Sequence, residues 1–433
     1  MRSFYLPLGL VALFIQPSFA DAQTSLPVTA SPSLLTELAE LATSGPAAPL
    51  TLAAAIQRAL QSNPDLRASA RDIEIADGLV MQAGARPNPE LALLSEGRQK
   101  ESRTTTLQLN QLLELGGKRA ARITAAERER DTAAAGLAGR STEVRANVIS
   151  AFFDVQVAQQ RLQLAQAMQQ LAQQVTQAAV RRVAAGKVSP VEETRARVAE
   201  SSAKLELGQA SGELALARSR LAACWGSPAA DFGTLAAPQT SGAADASLAE
   251  LQTRLMASPQ LLRARLEVDS RQAQAELERR RRIPDLTLSL GSKRDEQAGR
   301  SQTIVGLSLP LPVFDSKQGN LLSALRKTDK ARDELAATAN RLALELFAAY
   351  QRRQQAGAEL DALSSDILPG AQSAYEAAVK GFELGKFNLL DVLDAQRTLF
   401  QSKSQYLHAL AESHRATADI SRIVGADQQH QDK

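Results

Sequence analysis

Two carboxylates, Asp391 and Asp394, stand one helical turn apart in the stretch GFELGKFNLLDVLDAQRTLF (Gly381 to Phe400). About 200 residues earlier, AAVRRVAAGKVSPVEETRARV (Ala178 to Val198) puts Glu192 at the matching place. Both stretches start and end as helix and break in the middle. Ser189 and Asn388 are good N-caps, Pro190 suits a first helical position, and Glu192 and Asp391 are spaced to close capping boxes. Gly186 and Gly385 supply the turn before each cap. Each break therefore reads as the tip of a helical hairpin, and both tips are expected at one end, far from any strand. Asp394 lies beyond the capping positions and shares a face with Asp391. Like charges on one face repel, so capping alone does not account for the pair. In a symmetric assembly the two would form rings of carboxylates, and such rings select cations and constrict pores.

Other chemistry is sparse. His408, His414 and His430 have no metal-ligand spacing, and Cys224, the single cysteine, can form no intrachain disulfide. It reads as a small packing residue near a helix end. No tight metal site, cofactor site or catalytic residue is expected: there is no nucleophile elbow, phosphate loop or acid/base pair, so the chain does not read as an enzyme. With 50 basic and 47 acidic residues, the net charge of +3 leaves no footprint for nucleic acid. The run ERRRR (Glu278 to Arg282) reads as a solvated helix end favoured by the helix dipole, with lipid headgroups as an alternative partner.

The elements that must position the carboxylates come as a duplication. Residues 46–228 and 245–427 follow one plan: SNPDL matches ASPQL, RPNPELAL matches RRIPDLTL, AFFDV matches AAYQR, and CWG matches IVG. So long a unit is a duplicated domain rather than a solenoid repeat. The segment 229–244, rich in Ala, Gly, Ser and Pro, is the expected linker. Residues 1–20 read as a secretory signal with a basic start, an apolar core too short to span a bilayer and a small-x-small end. Residues 21–45 form an N-terminal extension and 428–433 a tail.

Each copy reads helix, strand, strand, long helix, break, helix. Leu91 and Leu93, then Leu107 and Leu109 against Gln108 and Asn110, alternate with the period of a strand. Leu286, Leu288 and Leu290, then Val305, Leu307 and Leu309, do so in copy two. Such strands fit either a sheet packed on helices or a membrane β-barrel with leucines toward lipid. Membrane strands need only about 9–11 residues. Four strands cannot close a barrel, which needs roughly eight, and an open edge cannot sit in lipid. If these strands span a membrane, several chains share the barrel. From Gly116 to Ala185 no proline interrupts the pattern, which allows about 100 Å of helix. Copy two repeats the run from Ser316, with a kink expected at Pro369. Phe152, Val155, Leu162 and Val175 mark a narrow seam suited to helices lying side by side like staves or a coiled coil.

At these residues the chain resembles the TolC-like outer-membrane factors of tripartite efflux pumps. The most specific match is GFELGKFNLLDVLDAQRTLF. A second, LELGGKRAARI (Leu113 to Ile123), is similar to the CzcC-type branch that serves export of divalent cations such as cobalt, zinc and cadmium. The resemblance implies a mainly α fold with four strands per chain. Three chains would form a homotrimer, a 12-stranded β-barrel in the outer membrane on an α-helical barrel of long coiled-coil helices across the periplasm. It implies a periplasmic membrane-fusion adaptor, an inner-membrane RND transporter and outer-membrane lipid as partners. It places Asp391, Asp394 and Glu192 at the channel entrance, and adaptor docking at Gly186, Lys187, Ser189, Gly385, Lys386, Phe387 and Asn388. Some relatives carry a latching arginine where this chain has Phe387, so a latch of that type is not expected. The competing readings are the same channel serving organic drugs or type I secretion, and a non-channel periplasmic coiled-coil or adaptor protein.

Overall fold

A computed structural model describes residues 49–99, 102–236 and 246–425. The expected signal segment, the extension, the tail and His430 lie outside the described residues, as do residues 237–244 of the expected linker. Copy one comprises α1 (Leu52–Ser62), α2 (Pro64–Gly84), β1 (Glu90–Glu96), β2 (Thr104–Leu113), α3 (Lys118–Ala184) and α4 (Pro190–Ala223). Copy two comprises α5 (Leu248–Leu255), α6 (Pro259–Arg280), β3 (Leu286–Asp295), β4 (Arg300–Ser308), α7 (Gln318–Ala362), α8 (Leu368–Glu383) and α9 (Leu389–Val424).

The duplication extends to the caps. Asn63 and Ser258 each accept from the backbone three residues on, with Pro64 and Pro259 opening the helix that follows. Gly117 and Lys317 start the two long helices from the left-handed region, at φ 72° and 59°. At α7–α8 the chain does not simply kink at Pro369. A π-helical turn, Leu363–Ile367, precedes the proline, and the Leu368 N–H donates to the Leu363 carbonyl. Proline has no N–H for the usual bond four residues back, and the widened turn keeps the helix continuous around that gap.

The four strands form one antiparallel sheet in the order β1-β2-β3-β4. The β2–β3 pairing joins the two copies, with Leu109 opposite Leu290. Leu91 lies beside Leu109 and Val305 beside Leu290, so one rung of large apolar side chains crosses all four strands. Every member of that rung is exposed. On the other face Asn110 Oδ1 accepts from Gln108 Nε2 at 2.7 Å and Ser289 Oγ at 2.7 Å. At this level β2 and β3 thus separate leucine from amide and hydroxyl, as the period of two requires.

The motif LELGGKRAARI ties the sheet to the helices. Arg122 pairs with Glu114 at 2.5 Å and donates to the Ala83 and Ala85 carbonyls. Lys118 meets Asp285 of copy two at 2.7 Å with both side chains largely buried. Gly116 lies against Ile283 so closely that a Cβ would overlap it. The ERRRR run ends α6 in local pairs, Arg279 and Arg280 with Glu276 and Arg281 with Glu278, while Arg282 donates to the Ser316 carbonyl.

Each copy has its own core. Phe152, Leu221 and Trp225 centre the first, and Leu342, Leu346 and Ile423 the second. The start of the expected linker belongs to the first core: Phe232 is buried there, and Thr234 and Ala236 bond the backbone of Leu50 at 2.9 Å. Where α3 meets α9, the His414 ring stacks on Phe153 with centroids 3.5 Å apart, and Arg415 pairs with Asp154 at 2.8 Å. Among the described residues no helix is long and apolar enough to cross a membrane.

Candidate functional site

The two breaks form tight turns between antiparallel helices. At tip two, between α8 and α9, Gly385 has φ 75°, a conformation that costs other residues energy. The Gly385 N–H donates to the Phe382 carbonyl at 3.0 Å, and the Lys386 N–H to that of Gly381 at 2.8 Å. These bonds satisfy carbonyls that a helix end would otherwise leave unpaired. Gly381 is buried where any Cβ would overlap the Phe387 ring, so the phenyl group folds back over the helix it has just left. Asn388 then starts α9 with a complete capping box. Its side chain accepts from the Asp391 N–H at 3.0 Å, and Asp391 Oδ2 accepts from the Asn388 N–H at 3.0 Å.

Asp391 is therefore committed to the cap. Asp394, one turn on, is exposed, and its carboxylate has no hydrogen-bond or ion-pair partner among the described residues. The opposite face of α9 carries Leu389, Val392 and Leu399 into an apolar cluster with Tyr375 and Phe382 of α8 and Met168, Val175 and Ala179 of α3. Burial pushes the Tyr375 phenol up to about 12.

Tip one, between α3 and α4, has the same turn, with Gly186 at φ 66° and the Lys187 N–H donating to the Arg182 carbonyl at 2.9 Å. Its cap differs from the expected one. Ser189 Oγ accepts only from the Val191 N–H, at 3.3 Å, and Glu192 does not reach back to close a box. The Ser189 hydroxyl bonds the nearer amide, although Ser247, the N-cap of α5, closes a full box with Glu250. Glu192 instead lies half-buried, with Oε2 shielded from solvent and without a hydrogen-bond partner among the described residues.

The tips meet each other. Arg182 of α3 lies over the Phe382 ring of α8 at 4.4 Å and donates to the Phe382 carbonyl at 3.3 Å. Both tips therefore sit at one end, as expected, about 100 Å of α3 away from the strands. Sequence reasoning missed Arg182. The signal was present in the repeat, which sets Arg182 opposite Gly381: one copy has a long cation where the other has no side chain. Gly186, Lys187, Ser189, Gly385, Lys386, Phe387 and Asn388 are all exposed, and the apolar Val191, Leu384 and Leu390 stand exposed beside them.

No metal-binding constellation appears among the described residues: no group of three or more His, Cys, Asp or Glu side chains could hold an ion. His408 is exposed, whereas His414 is part of the buried stack on Phe153, and burial lowers its pKa. Cys224 is the C-cap of α4, and burial raises its thiol.

The outer membrane efflux protein family matches the chain twice, over residues 55–227 and 251–426. The chain is 46% identical over 433 residues to the cobalt-zinc-cadmium resistance protein CzcC of Cupriavidus metallidurans, covering 98% of this chain and 100% of that protein. The nickel and cobalt resistance protein CnrC of the same organism is 30% identical over 292 residues, 65% of this chain and 68% of CnrC. Among solved structures, CusC superposes with a TM-score of 0.73 at 20% identity, over 87% of this chain and 92% of CusC. The outer membrane protein VceC of Vibrio cholerae gives 0.72 at 20% identity, over 87% and 96%.

Proposed function

The chain belongs to the outer membrane efflux protein family, and from that premise we propose that it is the exit channel of a tripartite pump expelling divalent heavy-metal cations. The geometric observation that carries the channel reading is the exposed apolar rung Leu91–Leu109–Leu290–Val305 on a sheet with two open edges. Leucines on one face suit lipid, and edges in lipid must be paired. Three chains supply twelve strands and close the barrel in the outer membrane, with the long helices forming a periplasmic duct below it. The cargo is inferred from the full-length similarity to a cobalt-zinc-cadmium resistance protein.

The chain's own part is conduction, and it carries out no reaction. Energy comes from the inner-membrane RND transporter, linked by a periplasmic adaptor that docks on the exposed turns around Gly186 and Gly385. At the tips, Asp391 and Asp394 recur around the three-fold axis as acidic rings, with Glu192 contributing from tip one. Asp394, free of any cap, stands exposed with no hydrogen-bond or ion-pair partner among the described residues. Such rings concentrate cations without holding them, which suits a duct.

Growth of a deletion strain across metals and organic toxicants, with complementation, tests the cargo. Sensitivity confined to cobalt, zinc or cadmium is expected; sensitivity only to dyes, detergents or antibiotics keeps the channel and removes the metal role. For the rings, an Asp391→Asn, Asp394→Asn double variant is expected to lose cation selectivity in single-channel recordings. Unchanged conductance and selectivity would remove these carboxylates from the entrance.

A further inference from the structure

The two ends of the sheet treat their arginines differently. At the helix end the ERRRR side chains are held by Glu276, Glu278 and the Ser316 carbonyl. At the hairpin end Arg98, Arg103 and Arg300 are exposed, and their side chains have no partner among the described residues. Arg294 pairs only through Nε, with Glu296 at 3.0 Å. Its side chain is 67% exposed, and its two terminal nitrogens have no partner among the described residues.

Strand register decides which face carries each charge. The face of the leucine rung continues two residues at a time. Toward the hairpins its next level is Leu93, Leu107, Ser292 and Thr303, and the level beyond is Ser95, Thr105, Arg294 and Ser301. Arg103 follows, its carbonyl accepting from the Glu296 N–H at 3.1 Å. This face therefore passes from leucine to hydroxyl to arginine. Toward the helices it stays apolar as far as Leu113 and Leu286, apart from Gln111, whose amide donates to the Pro87 and Leu112 carbonyls. From Leu113 to Leu107 the apolar band spans about 20 Å of strand. Glu96, Asp295 and Arg300 share one level of the opposite face. Glu296 is thus the one carboxylate beside Arg103 and Arg294 on the leucine face among the described residues.

We propose that Arg103 and Arg294, with Arg98 of the β1–β2 hairpin, bind the phosphorylated sugar headgroup of lipid A in the outer leaflet. This rests on the channel reading above, which puts the leucine band in the membrane and the hairpins at its outer surface. Arginine meets phosphate oxygens with a planar fork of donors. Glu296 holds Arg294 at Nε, which leaves both terminal nitrogens for the phosphate. The hydroxyls of Ser95, Thr105 and Ser301, on the level of Arg294, suit the sugar and ester groups between phosphate and acyl chains.

The test titrates bisphosphorylated lipid A into the full chain in non-ionic detergent and reads the rise in melting temperature. Lipid A stripped of phosphate, phosphatidylglycerol and inorganic phosphate are run alongside. Wild type is expected to respond at the lowest concentration to bisphosphorylated lipid A. Arg103→Gln with Arg294→Gln is expected to need about 25-fold more, at roughly fivefold for each arginine beside a charged surface. Arg300→Gln, on the opposite face, is expected to respond like wild type. All three positions are exposed, so both variants are expected to reach the outer membrane and conduct. An equal wild-type response to any of the three other probes overturns the headgroup site while the channel reading stands. So does an undiminished response in the double variant, or an equal loss in Arg300→Gln. Recovery of the wild-type chain in the soluble fraction without detergent overturns both.

Discussion

Tip one and tip two share a plan and end differently. Both turn on a glycine in the left-handed region, and both offer a polar cap with a carboxylate three residues on. Tip two closes on itself: Phe387 fills the space over Gly381, and Asn388 and Asp391 satisfy each other's backbone. Tip one stays open, with a long bond from the Val191 N–H to Ser189 Oγ and a Glu192 oxygen shielded but without a partner among the described residues. What holds tip one is its neighbour, through Arg182 on Phe382. A capping motif therefore does not guarantee a capping box: Ser247 closes one with Glu250, and Ser189 closes none with Glu192.

The largest effect is expected at Gly381. Gly381→Val must expel the Phe387 ring, so tip two should lose about 2 kcal/mol of local stability. Hydrogen exchange over residues 381–399 should rise sharply, and Phe387→Ala in the same chain should restore most of the protection. If exchange does not change, the ring is not what closes tip two. Next in size, Asn388→Ala breaks the box and should cost about 1 kcal/mol, whereas Ser189→Ala should cost about half of that. Equal losses at the two positions would erase the contrast.

A smaller effect of opposite sign is expected at Glu192. Removing a buried acceptor that lacks a donor relieves a penalty, so Glu192→Leu should raise the detergent melting temperature slightly. A fall would mean that the carboxylate has a donor in the assembled protein.

The smallest effect belongs to the joint above the tips, which both hairpins share. Burial lowers the His414 pKa in the folded chain. The unfolded chain therefore takes up the proton first, and stability is full above the ordinary histidine value of about 6.5 and declines as pH falls through the lowered folded value. His414→Phe should keep the stack on Phe153 and flatten that slope in melting curves between neutral and mildly acid buffer. An unchanged slope would assign the acid sensitivity elsewhere.

Much of the fold was legible because it is periodic. The alternation around Leu107 and Leu290 marked the strands, the proline-free run after Gly116 marked α3, and matched cap residues marked both turns. Misreadings came where one local pattern admits two geometries. Ser189 and Asn388 both read as the start of a capping box, yet only Asn388 closes one. Pro369 signalled a kink, but a π turn placed before it kept α7 and α8 continuous. The composition from residue 229 marked a linker, yet Phe232 found a place in the first core.

By itself the sequence determined the duplication, the order of elements, the hairpin turns and the position of Asp391 and Asp394, since these depend on short-range spacing and backbone preference. Tertiary structure alone decided that Arg182 ties one tip to the other, that His414 stacks on Phe153 and Arg415 pairs with Asp154, and that Lys118 meets Asp285 across the two copies. Each of these depends on which side chains meet across about 200 residues of chain, and no local pattern carries that information.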